Sequence, residues 1–90
     1  MNYKIIIAPQ AEEDLRRLKK SEPRAFAKAG RIMLELMEHP QTGIGKPERL
    51  LGSRSGQWSR RINKKHRLIY EIAETIVTVY ILSSYGHYDD

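Results

Sequence analysis

The spacing of apolar residues divides this chain into segments of different period. Tyr3 to Ala8 is rich in β-branched residues, with Ile5-Ile6-Ile7 at its centre, and it stops at Pro9, which lacks a backbone donor. That predicts a strand, with a helix beginning near Pro9. Ala11, Leu15 and Leu18 then recur at helical spacing, with Glu12, Glu13 and Asp14 ahead of Arg16, Arg17, Lys19 and Lys20. Acids early and bases late suit the helix dipole. Ser21 is expected as the N-cap of a second helix with Pro23 in its first turn. Phe26, Ala29, Met33, Leu36 and Met37 form its apolar stripe, which ends before Pro40. The two helices are expected to form an antiparallel pair.

From Pro40 to Gly56 the chain turns to Pro, Gly, Ser and charge, which predicts a long surface loop. Three strands are expected after it: Gln57 to Ile62, His66 to Ile72 and Ile76 to Leu82. Their links, Asn63-Lys64-Lys65 and Ala73-Glu74-Thr75, are short enough to force antiparallel neighbours. The expected fold class is α+β: a strand, a two-helix hairpin and a three-stranded antiparallel meander, in one sheet with the helices packed on one face and the other face free. Ninety residues with 40% hydrophobic content supply one core, so residues 1–90 are read as a single domain.

Composition removes several chemistries. There is no cysteine, and His39, His66 and His87 lack metal-ligand spacing, so neither a metal nor another cofactor is expected. No apolar run approaches the ~20 residues a bilayer span needs, and the N-terminus lacks the pattern of a signal peptide. A soluble, cytoplasmic protein without membrane contact is the expectation.

Charge sharpens the picture through its distribution. Of 16 Lys and Arg, eight fall between Gly43 and Arg67, against one acid, Glu48, while the rest of the chain sums to −2. A concentrated basic block is the footprint of polyanion binding, and equally of a solvated surface. Within it, Lys46, Arg60, Arg61, Lys64 and Lys65 are candidate phosphate contacts. With a three-residue turn at Asn63 to Lys65, Arg61 and Arg67 lie opposite each other on one face of a hairpin. A register differing by one puts them on opposite faces. Like charges placed face to face are unfavourable alone, and a phosphate between them makes the pairing sensible.

Metal-free cleavage of RNA needs a proton acceptor for the 2′-hydroxyl, a donor for the departing 5′-oxygen and positive charge on the scissile phosphate. Glu48 is a candidate acceptor, or else a surface ion-pair partner of Lys46 or Arg49. His87 suits a donor near neutrality, or is a tail imidazole stacked on neighbouring tyrosines. Tyr88 is placed either to stack on a base or to hydrogen-bond a phosphate. Trp58 and Tyr70 fit strand positions facing a core. His66 is expected to meet solvent or the loop, and His39 to complement the end of the second helix.

Four pieces, Gly45-Lys46-Pro47-Glu48-Arg49-Leu50, Gly56-Gln57-Trp58-Ser59-Arg60-Arg61-Ile62, His66-Arg67-Leu68-Ile69-Tyr70 and Gly86-His87-Tyr88, together resemble the YoeB/Txe branch of the RelE/ParE toxin superfamily. The resemblance implies a RelE-like fold and a ribosome-dependent messenger RNA endoribonuclease that inhibits translation. It further implies a homodimer, neutralisation by a YefM-like antitoxin, and contact with operator DNA only through the antitoxin complex. By resemblance Glu48 is the general base, Arg67 the phosphate-stabilising cation, His87 the general acid and Tyr88 the C-terminal tyrosine of the site. Arg61 and Lys46 match substrate-contacting positions. Asp89 and Asp90 depart from the pattern, since they follow a tyrosine that often ends the chain in that family. The chief rival is a ParE-like toxin that binds and inhibits a protein such as DNA gyrase without hydrolysis. A second is an RNA-binding module lacking catalysis.

Overall fold

The computed structural model describes residues 2–84. The first strand, β1 (Lys4–Ile7), leads directly into α1 (Pro9–Ser21), with Pro9 at the first helical position and Ala8, in extended conformation, as N-cap. Proline fits there because its fixed φ suits the helix and its missing N–H would have had no partner. α1 buries Ala11, Asp14, Leu15 and Leu18, the predicted stripe with one acid added. Asp14 accepts hydrogen bonds from Gln10 and Arg17 on the same helix, which compensates for its burial.

α2 (Pro23–Leu36) begins one residue later than the expected cap implied. Ser21 is the last residue of α1, and its hydroxyl donates back to the Arg17 carbonyl (2.9 Å). Glu22 is the junction residue instead: its N–H closes α1 on Leu18 O (2.8 Å), and its own carbonyl accepts from Phe26 N (3.0 Å) to open α2. Ala25, Ala29, Ile32 and Leu36 form the buried face of α2, with Phe26 and Met33 packed beside it. The true stripe is thus rotated from the predicted one, with Ala25 and Ile32 buried where Phe26 and Met33 were expected. Among the described residues no helix is long and apolar enough to cross a membrane.

The expected meander is present as β3 (Gln57–Arg61), β4 (His66–Ala73) and β5 (Ile76–Ser84). Two additions complete the sheet. β1 lies parallel against β5, Lys4 opposite Ile76 through Ile7 opposite Val79, and a two-residue strand β2 (Glu48–Arg49) pairs antiparallel with β3 inside what was expected to be loop. The strand order is β1-β5-β4-β3-β2. The helices and the meander make the crossover that a parallel β1–β5 pair requires.

Alternation along the strands sorts the side chains. Ile62, Leu68, Tyr70, Val77 and Val79 face the helices and close the main core with Ala11, Leu15, Leu18, Ala29, Ile32 and Leu36; Trp58 packs at its margin. Trp58 and Tyr70 therefore face the core as expected. The opposite face is not free throughout. Ser59, Arg67 and Ile69, which alternation places there, are all buried.

Candidate active site

The β3–β4 hairpin sets the first part of the site. Asn63 Oδ1 accepts from the backbone N–H groups of Lys65 (2.9 Å) and His66 (2.8 Å), and Ile62 N donates to His66 O (2.9 Å). An asparagine side chain imitating a backbone turn in this way fixes a tight connection. It selects the register in which Arg61 and Arg67 are direct partners, so the two guanidinium groups leave from the same face. Arg61 is exposed and Arg67 almost fully buried. One cation is thus held in the floor of the face while the other stands at its surface.

β2 brings in the acid. Glu48 is the direct partner of Ser59, two residues before Arg61 on β3, so Glu48, Ser59, Arg61 and Arg67 share one face. The Glu48 carboxylate lies 4.0 Å from Arg67 Nη1. Its nearest cation in this geometry is neither Lys46 nor Arg49. The side chain of Glu48 is 62% exposed against 5% for Arg67. A pair so open on one side adds about 1 kcal/mol or less to stability. The arrangement leaves an exposed carboxylate beside a buried cation.

The approach to Glu48 is shaped by two backbone constraints. Gly45 has φ +80°, and a Cβ there would stand 2.8 Å from the Arg61 carbonyl oxygen, while its own carbonyl accepts from Arg61 N (2.6 Å). Only glycine lets the loop come this close to β3. Lys46 follows with φ 51°, an uncommon conformation for a side-chain-bearing residue, and its side chain is exposed. Lys46 therefore stands at the loop's exposed surface, one residue beyond the carbonyl that binds Arg61.

Not every residue of the basic block joins this face. Arg60, expected as a phosphate contact, points the other way: its side chain is fully buried, with Nη1 2.6 Å from Glu35 Oε1 of α2. Alternation requires this once Arg61 faces Arg67. Lys65 pairs with Glu22 (3.3 Å), and His66 Nε2 meets the same carboxylate at 2.8 Å. Asn63 Nδ2 also donates to Glu22 (3.4 Å). The hydrogen bond from His66 leads the effects on the Glu22 carboxyl; against the opposing cost of burial, it and the pairing with Lys65 hold the group below its ordinary range. Of the two turn lysines, Lys64 is exposed, while Lys65 is committed to the helix junction. His39 uses Nδ1 on Thr42 O (2.9 Å), which can only accept, so that nitrogen carries the proton.

Ser59 escaped the sequence reading. Its hydroxyl is fully buried and, among the described residues, has no hydrogen-bond partner, in the row between Glu48 and Ile69. Its place two residues before Arg61 on a strand was the available signal. His87 and Tyr88, the expected acid and aromatic, lie outside the described residues. Among the described residues no cluster of three or more His, Asp or Glu is arranged to hold a metal ion.

Comparison with known proteins identifies the family. A family model described as the YoeB-like toxin of bacterial type II toxin-antitoxin systems matches residues 7–88. A Toxin YoeB of Mycobacterium bovis is 39% identical over 80 residues, spanning 89% of this chain and 92% of that one. The YoeB dimer from Staphylococcus aureus superposes with a TM-score of 0.82 at 28% identity, covering 97% of this chain and 100% of that one. A YoeB-YefM complex from the same organism gives 0.79 at 28% identity, covering 92% and 97%. With this match across nearly its whole length, on a two-helix, five-strand α+β scaffold, the chain belongs to the YoeB-like toxins of bacterial type II toxin-antitoxin systems.

Proposed function

We propose that this toxin is a ribosome-dependent messenger RNA endoribonuclease that cuts without a metal ion or other cofactor and so inhibits translation in the cytoplasm. The observation that carries the reading is the placement of Glu48 4.0 Å from the buried guanidinium of Arg67, on the face that also bears Arg61. In the proposed reaction Glu48 accepts the proton of a 2′-hydroxyl while O2′ forms a bond to the adjacent phosphorus. The bond from phosphorus to O5′ breaks, and His87 gives a proton to that leaving oxygen. The products are a 2′,3′-cyclic phosphate and a 5′-hydroxyl. Arg67 supports the charge that develops on the phosphoryl oxygens, where a fixed donor is worth most because it needs no reorganisation. Arg61, Lys46 and Lys64 hold neighbouring phosphates, and Tyr88 contacts the nucleotide at the cut.

The partners follow from the same reading: messenger RNA on the 70S ribosome, a second copy of the chain, and a YefM-like antitoxin through which operator DNA is reached. The Staphylococcus relatives, solved as a dimer and as a complex with YefM, support the last two. Incubating the purified toxin with translating ribosomes and mapping 5′ ends tests the assignment. Discrete cuts in the message, mostly lost in Glu48→Ala and His87→Gln, are the expected result. Intact message would overturn the ribonuclease reading; with inhibited gyrase it would favour a ParE-like toxin, and with tight ribosome binding alone an RNA-binding module.

A further inference from the structure

We propose that Arg60 is a positioning residue that sets the place of Glu48 by clamping residues 39–44 from the buried side of the sheet. This rests on reading Glu48 as the general base.

The guanidinium is the centre of a ring of acceptors. Nη1 donates to Glu35 Oε1 (2.6 Å) and Ile44 O (3.3 Å), Nη2 to His39 O (2.8 Å) and Thr42 O (2.7 Å), and Nε to the Tyr70 hydroxyl (3.4 Å). That hydroxyl in turn donates to Pro40 O (2.6 Å). Four backbone carbonyls of one short segment are therefore bound directly or through Tyr70. Glu35 closes the ring by accepting Ile44 N–H as well (3.0 Å). These bonds outweigh the cost of partly burying Glu35 and hold its carboxyl below the usual range.

The segment has little else to define it. Residues 39–44 form turns and bends, and Pro40 alone among them is buried, so polar contacts to the clamp must fix most of their path. Gly43, at φ +128°, lets the chain wrap the clamp: a Cβ there would stand 2.0 Å from Glu35 Oε1 and 3.0 Å from Arg60 Nη1. Four residues after the last clamped carbonyl comes Glu48. Between them, among the described residues, Arg61 N donates to Gly45 O before β2 pairs with β3. Adjacent arginines thus serve opposite faces. Arg60 holds the loop that carries the base, and Arg61 faces the phosphate.

Arginine suits the task because its planar fork offers five donors in fixed directions, and here all three of its nitrogens are used. Lysine keeps the charge but cannot reach the same acceptors. A purely structural role for this buried arginine separates from the positioning role because only the latter acts through Glu48.

The experiment uses Arg60→Lys and Gly43→Ala, the second leaving the clamp's charges in place while distorting the loop. Single-turnover cleavage on ribosomes is measured for each in the wild-type and Glu48→Ala backgrounds, beside exchange of the Arg61 amide by NMR. A misplaced catalytic group costs on the order of a hundredfold, so roughly tenfold to hundredfold slower cleavage at unchanged ribosome affinity is expected in the wild-type background. In the Glu48→Ala background the same changes add little, as for residues that act as one unit. The Arg61 amide, bonded to Gly45 O, exchanges faster in both variants. Equal losses in the two backgrounds, normal cleavage by a folded variant, or unchanged amide exchange would each overturn the proposal. If wild-type toxin leaves messages intact, the ribonuclease reading fails on its own, and amide exchange still decides whether Arg60 holds the loop.

Discussion

Replacing Tyr70 by Phe removes one oxygen and leaves the ring in place, which makes it a clean measure of the clamp behind the candidate base. Tyr70 is fully buried; its hydroxyl donates to Pro40 O at 2.6 Å and accepts from Arg60 Nε at 3.4 Å. Phe opens no cavity of consequence, so the cost comes from a carbonyl and a charged donor left inside without their partner. An orphaned buried group costs about 1–3 kcal/mol, and the long bond from Nε adds little, so about 2 kcal/mol is expected. In a domain of this size 1 kcal/mol shifts the melting temperature by roughly 4–8 °C, giving a fall of roughly 8–16 °C. Urea unfolding is the assay: the midpoint should drop with an unchanged slope, because the exposed surface on unfolding is the same. Burial pushes the Tyr70 hydroxyl above its ordinary value of 10.0. A folded value above the unfolded one means its stability is complete below pH 10 and fades as pH rises beyond it. The Phe variant should therefore show a shallower alkaline decline. A loss below about 0.5 kcal/mol, the scatter of surface substitutions, would refute the view that this hydroxyl holds the loop.

Arg67→Ala should slow cleavage on ribosomes by about 2.7–4 kcal/mol in barrier, the range for loss of one charge-stabilising donor, with circular dichroism confirming the fold. A change seen only in ribosome affinity would count against its role on the phosphate. Glu22 has a lowered folded value, led by the hydrogen bond from His66, so its contribution is present above its ordinary value of 4.5 and is lost as pH falls through the lowered one. Glu22→Gln should accordingly flatten the acid limb of stability, read from urea midpoints between about pH 3 and 6. Ser59→Ala removes a buried hydroxyl that finds no hydrogen-bond partner among the described residues, so stability should hold or rise. Slower cleavage by that variant would show the hydroxyl engaging substrate or Glu48 during the reaction.

Much of the scaffold was legible because its signals are local. Pro9 and Pro23 mark helix starts since a residue without N–H is tolerated there, and both helices begin at those residues. Asn63-Lys64-Lys65 is short enough to dictate an antiparallel hairpin, and it delivers Arg61 opposite Arg67. Strand alternation also contained a warning that the count of charges concealed: neighbours on a strand cannot share a face, so Arg60 and Arg61 were never equivalent. Ser21 has the chemistry of a cap, yet its hydroxyl turned back to Arg17, since local bonding patterns compete and sequence does not rank them.

What the chain's own pattern determined is therefore the identity of the main elements, their order and the antiparallel β3–β4 hairpin, while the structure fixed the register that pairs Arg61 with Arg67. Tertiary structure alone decided that β1 closes the sheet beside β5, that two residues of a Pro- and Gly-rich loop become β2, and that Lys65 and His66 turn to Glu22, more than forty positions earlier. It also brought Glu48 to Arg67, nineteen residues later, across a strand that neither belongs to. Periodicity reports the surroundings of each residue averaged over a turn or a pleat. Partners distant in sequence are chosen by how the finished layers pack and by which buried charges and carbonyls must satisfy one another.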